Sequence, residues 1–206
     1  MAKENEIRYL EIDKFEMIKK LIDMGATLKS GEPVSLDDVS EDKEFPYEKT
    51  QIRYVYDMNP KDPNRWMRLR TNGTEATLTI KEICEDTVDG TLEWEIGVSD
   101  FETTHQMLEK CGFKAKAKQE NKRITFNLDG VEIDVDTWPG IPTYMEIEGK
   151  SVNDVYSTLD KLGIDRRDEN LTAKGVQDVY LDIYGIDIRP IKELTFEYFQ
   201  NCQRGM

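Results

Sequence analysis

The sequence predicts an α+β fold: an eight-stranded antiparallel β-barrel, with amphipathic helices packed outside it and charged residues lining its interior. Three observations lead there. About eight segments alternate apolar with charged residues at the two-residue period of a strand. The charges on those alternating faces are of both signs. Three or four amphipathic helical segments are available to cover the apolar faces, so the charged faces can only look inward.

The elements follow in order along the chain. ENEIRYLEI, residues 4–12, is a strand with Glu4, Glu6 and Arg8 on one face and Asn5, Ile7 and Tyr9 on the other. KFEMIKKLIDMG, residues 14–25, sets Phe15, Ile18, Leu21 and Ile22 at helical spacing and stops at Gly25. The polar stretch from Ser30 to Lys49 is a loop, and its acidic run at 37–44 is solvated. TQIRYVYD is β-branched and aromatic and meets a turn cluster, Asn59-Pro60 with Asp62-Pro63-Asn64, so a hairpin is expected. The return strand WMRLR places Arg68 and Arg70 on one face. After Asn72-Gly73, ATLTIKE opposes Leu78 and Ile80 to Thr77, Thr79 and Lys81. After Asp89-Gly90, TLEWEIGV opposes Leu92, Trp94 and Ile96 to Glu93 and Glu95. Trp66 and Trp94 are expected to pack against helices.

Residues 99–112 form a second helix, capped by Ser99 or Asp100 and ended by Gly112, with His105 as a surface residue of that helix. NKRITFNLDGVEIDVD is a hairpin through Asp129-Gly130. It carries Asn121, Arg123 and Thr125 on one face of its first strand and Glu132, Asp134 and Asp136 on one face of its second. Trp138 stands in a structural corner, Trp-Pro-Gly-Ile-Pro, after which Met145 and Ile147 alternate with Glu146 and Glu148. Residues 151–163 form a third helix, with Ser151 as cap and Val155, Leu159 and Leu162 inside. Val176, Val179, Tyr180 and Ile183 follow helical spacing in the tail. No clean linker interrupts the chain, so one domain over 1–206 is expected, with 151–206 a mainly helical part packed on the barrel.

With 42 acidic against 28 basic residues the net charge is -14, which argues against nucleic acid and against an anionic membrane as partners. The three cysteines, Cys84, Cys111 and Cys202, are far apart and include no CxxC pair; they read as reduced thiols in a cytoplasmic protein. MAKENEIRYL lacks the basic-then-apolar pattern of a signal, and no apolar run reaches membrane-spanning length. A single histidine rules out a His-rich zinc or iron site.

Carboxylates crowded into an interior repel and raise one another's pKa, and divalent cations relieve them; an all-oxygen set suits Mg²⁺ or Mn²⁺. The arginines and the lysine on the other walls need an anion. Guanidinium forks beside metal-bound oxygens are the parts that phosphoryl chemistry uses.

The ordered set Glu4-x-Glu6-x-Arg8, Arg68-x-Arg70, Thr79-x-Lys81, Glu93-x-Glu95, Arg123, Asp134 or Asp136, and Glu146-x-Glu148 resembles the CYTH family, the triphosphate tunnel metalloenzymes. That family includes class IV adenylyl cyclases, thiamine triphosphatases and inorganic tripolyphosphatases. The resemblance covers about residues 4–150. It implies a tunnel that binds a triphosphate group and cleaves a phosphoanhydride with metal help. Glu4, Glu6, Glu146 and Glu148, with Asp134 or Asp136, would ligate metal. Arg8, Arg68, Arg70, Lys81 and Arg123 would hold phosphate oxygens, and Glu93 and Glu95 would orient those bases or a metal-bound water. Two departures stand out. Arg8 replaces the family's usual lysine and does not lose its proton, which counts against a role as general base. Asn121 stands where the family often has a further lysine, which removes one positive contact.

The resemblance thus implies metal-dependent hydrolysis of a triphosphate, with tripolyphosphate, ATP or another organic triphosphate as the small-molecule partner. The alternatives are a class IV-type adenylyl cyclase and a non-catalytic triphosphate- or polyphosphate-binding module. A homodimer is compatible with each.

Overall fold

The computed structural model describes residues 2–40, 43 and 45–204. The elements run β1 (Ala2–Tyr9), α1 (Lys14–Asp23), β2 (Thr27–Leu28), β3 (Lys49–Asp62), β4 (Arg65–Thr71), β5 (Ala76–Ile83), β6 (Thr91–Val98), α2 (Phe101–Lys110), β7 (Ala115–Leu128), β8 (Val131–Thr137), β9 (Tyr144–Gly149), α3 (Val152–Lys161), β10 (Leu171–Thr172), α4 (Val176–Asp178), β11 (Glu193–Leu194) and α5 (Phe196–Arg204). Hydrogen bonding follows the order β1-β6-β5-β4-β3-β7-β8-β9, and β9 pairs back onto β1. The eight strands therefore form a closed ring, and every pairing within it is antiparallel. Closure gives each of them a neighbour on both sides and leaves no free edge to manage. This is the α+β arrangement the alternation predicts.

Helices cover the ring from outside, as the apolar faces require. Ile18 and Leu21 of α1 and Val155 and Leu159 of α3 share one buried cluster with Ile7, Ile124, Phe126, Ile133, Val135 and Ile147 from β1, β7, β8 and β9. Helices α1, α2 and α3 each start where a side chain caps them: Asp13 accepts from the Glu16 amide, Asp100 from Thr103 and Ser151 from Asp154. On the opposite wall, α2 lies over a smaller cluster of Tyr56, Met67 and Leu69.

The third cluster joins Leu10, Trp138 and Tyr144 to Val179, Tyr180, Ile188 and Leu194, and so fixes the C-terminal residues to the ring. Two short strands add to that attachment, β10 on β1 and β11 on β7.

Several local expectations are corrected. The first strand is Ala2–Tyr9 and not 4–12, because Glu11 takes a positive φ and turns the chain. Strand β3 runs through Asn59-Pro60 to Asp62, so the turn is confined to residues 63–64. His105 is no surface residue: its ring stacks on Tyr54 at 4.0 Å and shares a 2.7 Å hydrogen bond with the Tyr56 hydroxyl. Trp94 is 39% exposed, since α2 leaves the outer face of β6 uncovered. The tail is no regular helix, for α4 widens into a π-helical turn over Val179–Ile183. Within the acidic run at 37–44, Leu36–Asp38 form a 3₁₀ turn, while Glu41, Asp42 and Glu44 lie outside the described residues.

Candidate functional site

Period-two alternation in a closed ring sends one face of every strand to the interior. Register then decides which side chains meet. Glu6 stands opposite Glu148, Arg8 opposite Glu146, and Asp134 opposite Glu146 on its other side. Lys81 faces Glu93, Thr79 faces both Glu95 and Arg68, and Arg123 faces Asp136. All the charged residues singled out in the sequence thus come to one shared interior, and they sort into four groups.

Arg123 is the hub of the first. Its Nε donates to Asp136 Oδ1 at 2.8 Å, its Nη2 to Glu146 Oε2 at 2.6 Å, and further short bonds reach Asp134 and Asp136. Thr125 donates to Asp134 and Asn121 to Asp136. Burial pushes both aspartates up while Arg123 opposes it.

Arg8 is the hub of the second. It pairs with Glu6 at 2.9 Å and Glu146 at 2.7 Å, and donates to the Lys174 carbonyl at 2.7 Å, which ties the ring to the C-terminal part. Burial would raise the Glu146 carboxyl, but Arg8, Arg123 and Lys81 together hold it far below the usual carboxylate range.

In the third group Lys81 Nζ donates to both oxygens of Glu4, at 2.6 and 2.9 Å. Glu4 is 6% exposed, and burial pushes its carboxyl up to about 7 against the pull of Lys81. Glu148 is pushed the same way, by its surroundings and then by Glu4, Glu6 and Glu132, although water reaches it at the rim and screens the effect.

The fourth group is basic and loosely compensated. Arg68 lies 3.4 Å from Glu93 and 3.6 Å from Glu95, Arg70 lies 4.0 Å from Glu95, and Glu95 accepts instead from the Thr79 hydroxyl at 2.7 Å. The Arg68 charge, burial and Arg123 together bring Arg70 down to about 10. With the Arg68 charge as the largest cause, Arg70 feels neighbouring positive charge as well as burial.

Arg53 and Gln51 of β3 belong here too, and sequence reasoning missed them. They alternate with Ile52 and Tyr54, but Val55 continues their face into an aromatic run, so the polar stripe is only two residues long. Arg53 is 6% exposed and stacks over Trp138 at 4.6 Å.

Among the described residues no three acidic, histidine or cysteine side chains already converge as a metal cage. The donor chemistry nevertheless suits a hard cation. Glu4, Glu6, Glu132 and Glu148 offer only oxygen, and three of them raise the pKa of Glu148, a crowding that a divalent charge would relieve.

A family model described as the CYTH domain matches residues 34–181. Among curated protein sequences, none matches the chain. Solved structures of the same fold include a conserved hypothetical protein from Pyrococcus furiosus, 20% identical, with a TM-score of 0.64 over 84% of this chain and 97% of that one. A candidate adenylate cyclase from Vibrio parahaemolyticus is 14% identical, with a TM-score of 0.54 over 78% of this chain and 84% of its own. A Hippeastrum protein named for adenylyl cyclase, and described as having a dominant triphosphatase activity, is 13% identical with a TM-score of 0.53 over 90% and 97%.

Proposed function

The chain belongs to the CYTH domain family, and from that premise we propose that it binds a triphosphate-containing small molecule inside the ring and hydrolyses a phosphoanhydride bond with Mg²⁺ or Mn²⁺. The observation that carries this reading is the polarity of the interior. Arg68 and Arg70 sit on one wall with only long contacts to carboxylates, while Glu4, Glu6 and Glu148 crowd on another. A polyanion and a divalent cation compensate the two walls together.

In this reading Arg68 and Arg70 hold phosphate oxygens, with Lys81 and Arg123 turning toward them from their carboxylates. Glu93 and Glu95 orient Arg68 and Arg70 and the attacking water. Glu4, Glu6 and Glu148 would hold the metal, joined by Asp134 or Asp136 and Glu146 when Arg123 turns to the phosphates. A bound divalent cation would supply charge neutralisation along the phosphate chain and lower the pKa of a water. The two terminal nitrogens of Arg8 are engaged by Glu6, Glu146 and the Lys174 carbonyl, and it does not give up its proton, so its role is to fix those carboxylates. Residues 151–206 act as part of the same unit. Three free, exposed cysteines support a reducing, cytoplasmic setting.

The test is phosphate and pyrophosphate release from tripolyphosphate and from ATP, with Mg²⁺, Mn²⁺ or EDTA, scoring cyclic AMP in the same samples. Metal-dependent phosphate release from tripolyphosphate is the expected result. Cyclic AMP from ATP would replace hydrolysis with cyclisation, and ligand binding without turnover would leave a binding module.

A further inference from the structure

Building on the triphosphate reading, we infer that Arg53 is an anion-binding residue of the interior, seating a phosphoryl group between its guanidinium and that of Arg70. Arg53 stands directly opposite Arg70 in the register of β3 with β4. Like charges facing each other on neighbouring strands repel, so the pair is a cost unless something negative lies between. The Arg53 hydrogen bonds do not supply it. They go to the neutral amide oxygens of Gln51, at 3.2 Å, and Asn121, and its buried Nε has no partner. The acid behind Asn121 is Asp136, which Arg123 and the Asn121 amide already engage.

The guanidinium is also held in place. One of its faces lies on Trp138, and Trp138 is locked in the cluster that contains Leu10, Tyr144, Val179 and Tyr180. Burial pushes the Arg53 pKa well down, and the Arg68, Arg70 and Arg123 charges add to it against Asp136. A buried charge of this kind costs folding energy when unpaired. With a phosphoryl oxygen beside it, the same arrangement is a preset planar fork. Because the Arg53 guanidinium covers the indole face, the seat suits a phosphoryl group and not a stacked nucleobase.

The inference is tested by comparing Arg53→Gln and Arg53→Lys with the parent protein for binding of inorganic tripolyphosphate by titration calorimetry, each with a ligand-free thermal melt. Arg53→Gln is expected to bind about tenfold more weakly or worse, with Arg53→Lys intermediate. Its ligand-free melting temperature should equal or exceed the parent's, which a purely structural arginine would not allow. Parent-like affinity in the variants overturns the inference and leaves the triphosphate reading standing. A parent protein that ignores tripolyphosphate with and without Mg²⁺ removes that reading and this one with it. Should Arg53→Gln fail to fold, Arg53→Lys decides, and parent-like affinity there overturns the inference.

Discussion

Glu146 and Glu148 are two residues apart on one strand, yet their surroundings give them different work. Glu146 is bonded by Arg8 and Arg123, so Glu146→Gln leaves two buried guanidinium groups short of a partner; a loss of about 3 kcal/mol of stability is expected, measured by denaturant melts. Glu148 has freer surroundings at the rim, so Glu148→Gln should leave the melting curve nearly unchanged while abolishing metal-dependent turnover. Retained turnover would remove Glu148 from the metal set. Glu4 makes a pH prediction. Burial raises its folded pKa to about 7, above the unfolded value of about 4.3. Between those values the unfolded chain has released a proton that the folded chain still holds, so this residue's contribution to stability falls as pH rises. In EDTA the melting temperature of the parent should therefore drop relative to Glu4→Gln from pH ~5 to ~7.5, and Mn²⁺ should restore more at the upper end. A difference that stays flat across that range would refute the assignment.

The walls of the ring are stabilised unequally. On the α1 and α3 side, Ile133 and Leu159 are fully buried in one cluster, so Ile133→Ala should cost about 2–5 kcal/mol in equilibrium unfolding. On β6, Ile96 is 62% exposed, and Ile96→Thr should change stability by no more than about 0.5 kcal/mol. Equal costs at the two positions would mean that β6 is covered in solution. Ser151 is the cap of α3, and Ser151→Ala should cost about 1 kcal/mol. Strands, helices and caps of this kind were legible because each is a local pattern of period, cap and stop. Where longer-range contacts decide, legibility ended. His105 reads as a helix surface residue until β3 brings Tyr54 and Tyr56 against it. Trp94 reads as buried because the extent of α2 over β6 is not a local property.

At the scale of the whole molecule, the interior holds a loosely compensated basic pair, Arg68 and Arg70, and a crowded set of acids around Glu148, and a ligand of matching polarity should close the balance. Tripolyphosphate with Mn²⁺ at a hundred times its dissociation constant should raise stability by about 2.7 kcal/mol, seen as a concentration-dependent melting temperature. Either component alone should give less, since each compensates one wall and leaves the other. A shift with Mn²⁺ alone as large as with both would argue for a metal site unconnected to the anion. The sequence by itself determined most of the charged residues that face inward, those of every long polar stripe, because side chains alternate strictly along a strand and the apolar face has to be covered. It also carried the charge signs of the motifs from Glu4 to Glu148, and with them the family resemblance. Only the tertiary structure decided which acid meets which base, because that depends on strand order and register around the ring. So Arg8 became a fastening for Glu6, Glu146 and the C-terminal chain, and Arg53 emerged opposite Arg70 from a strand whose polar stripe was too short to be seen.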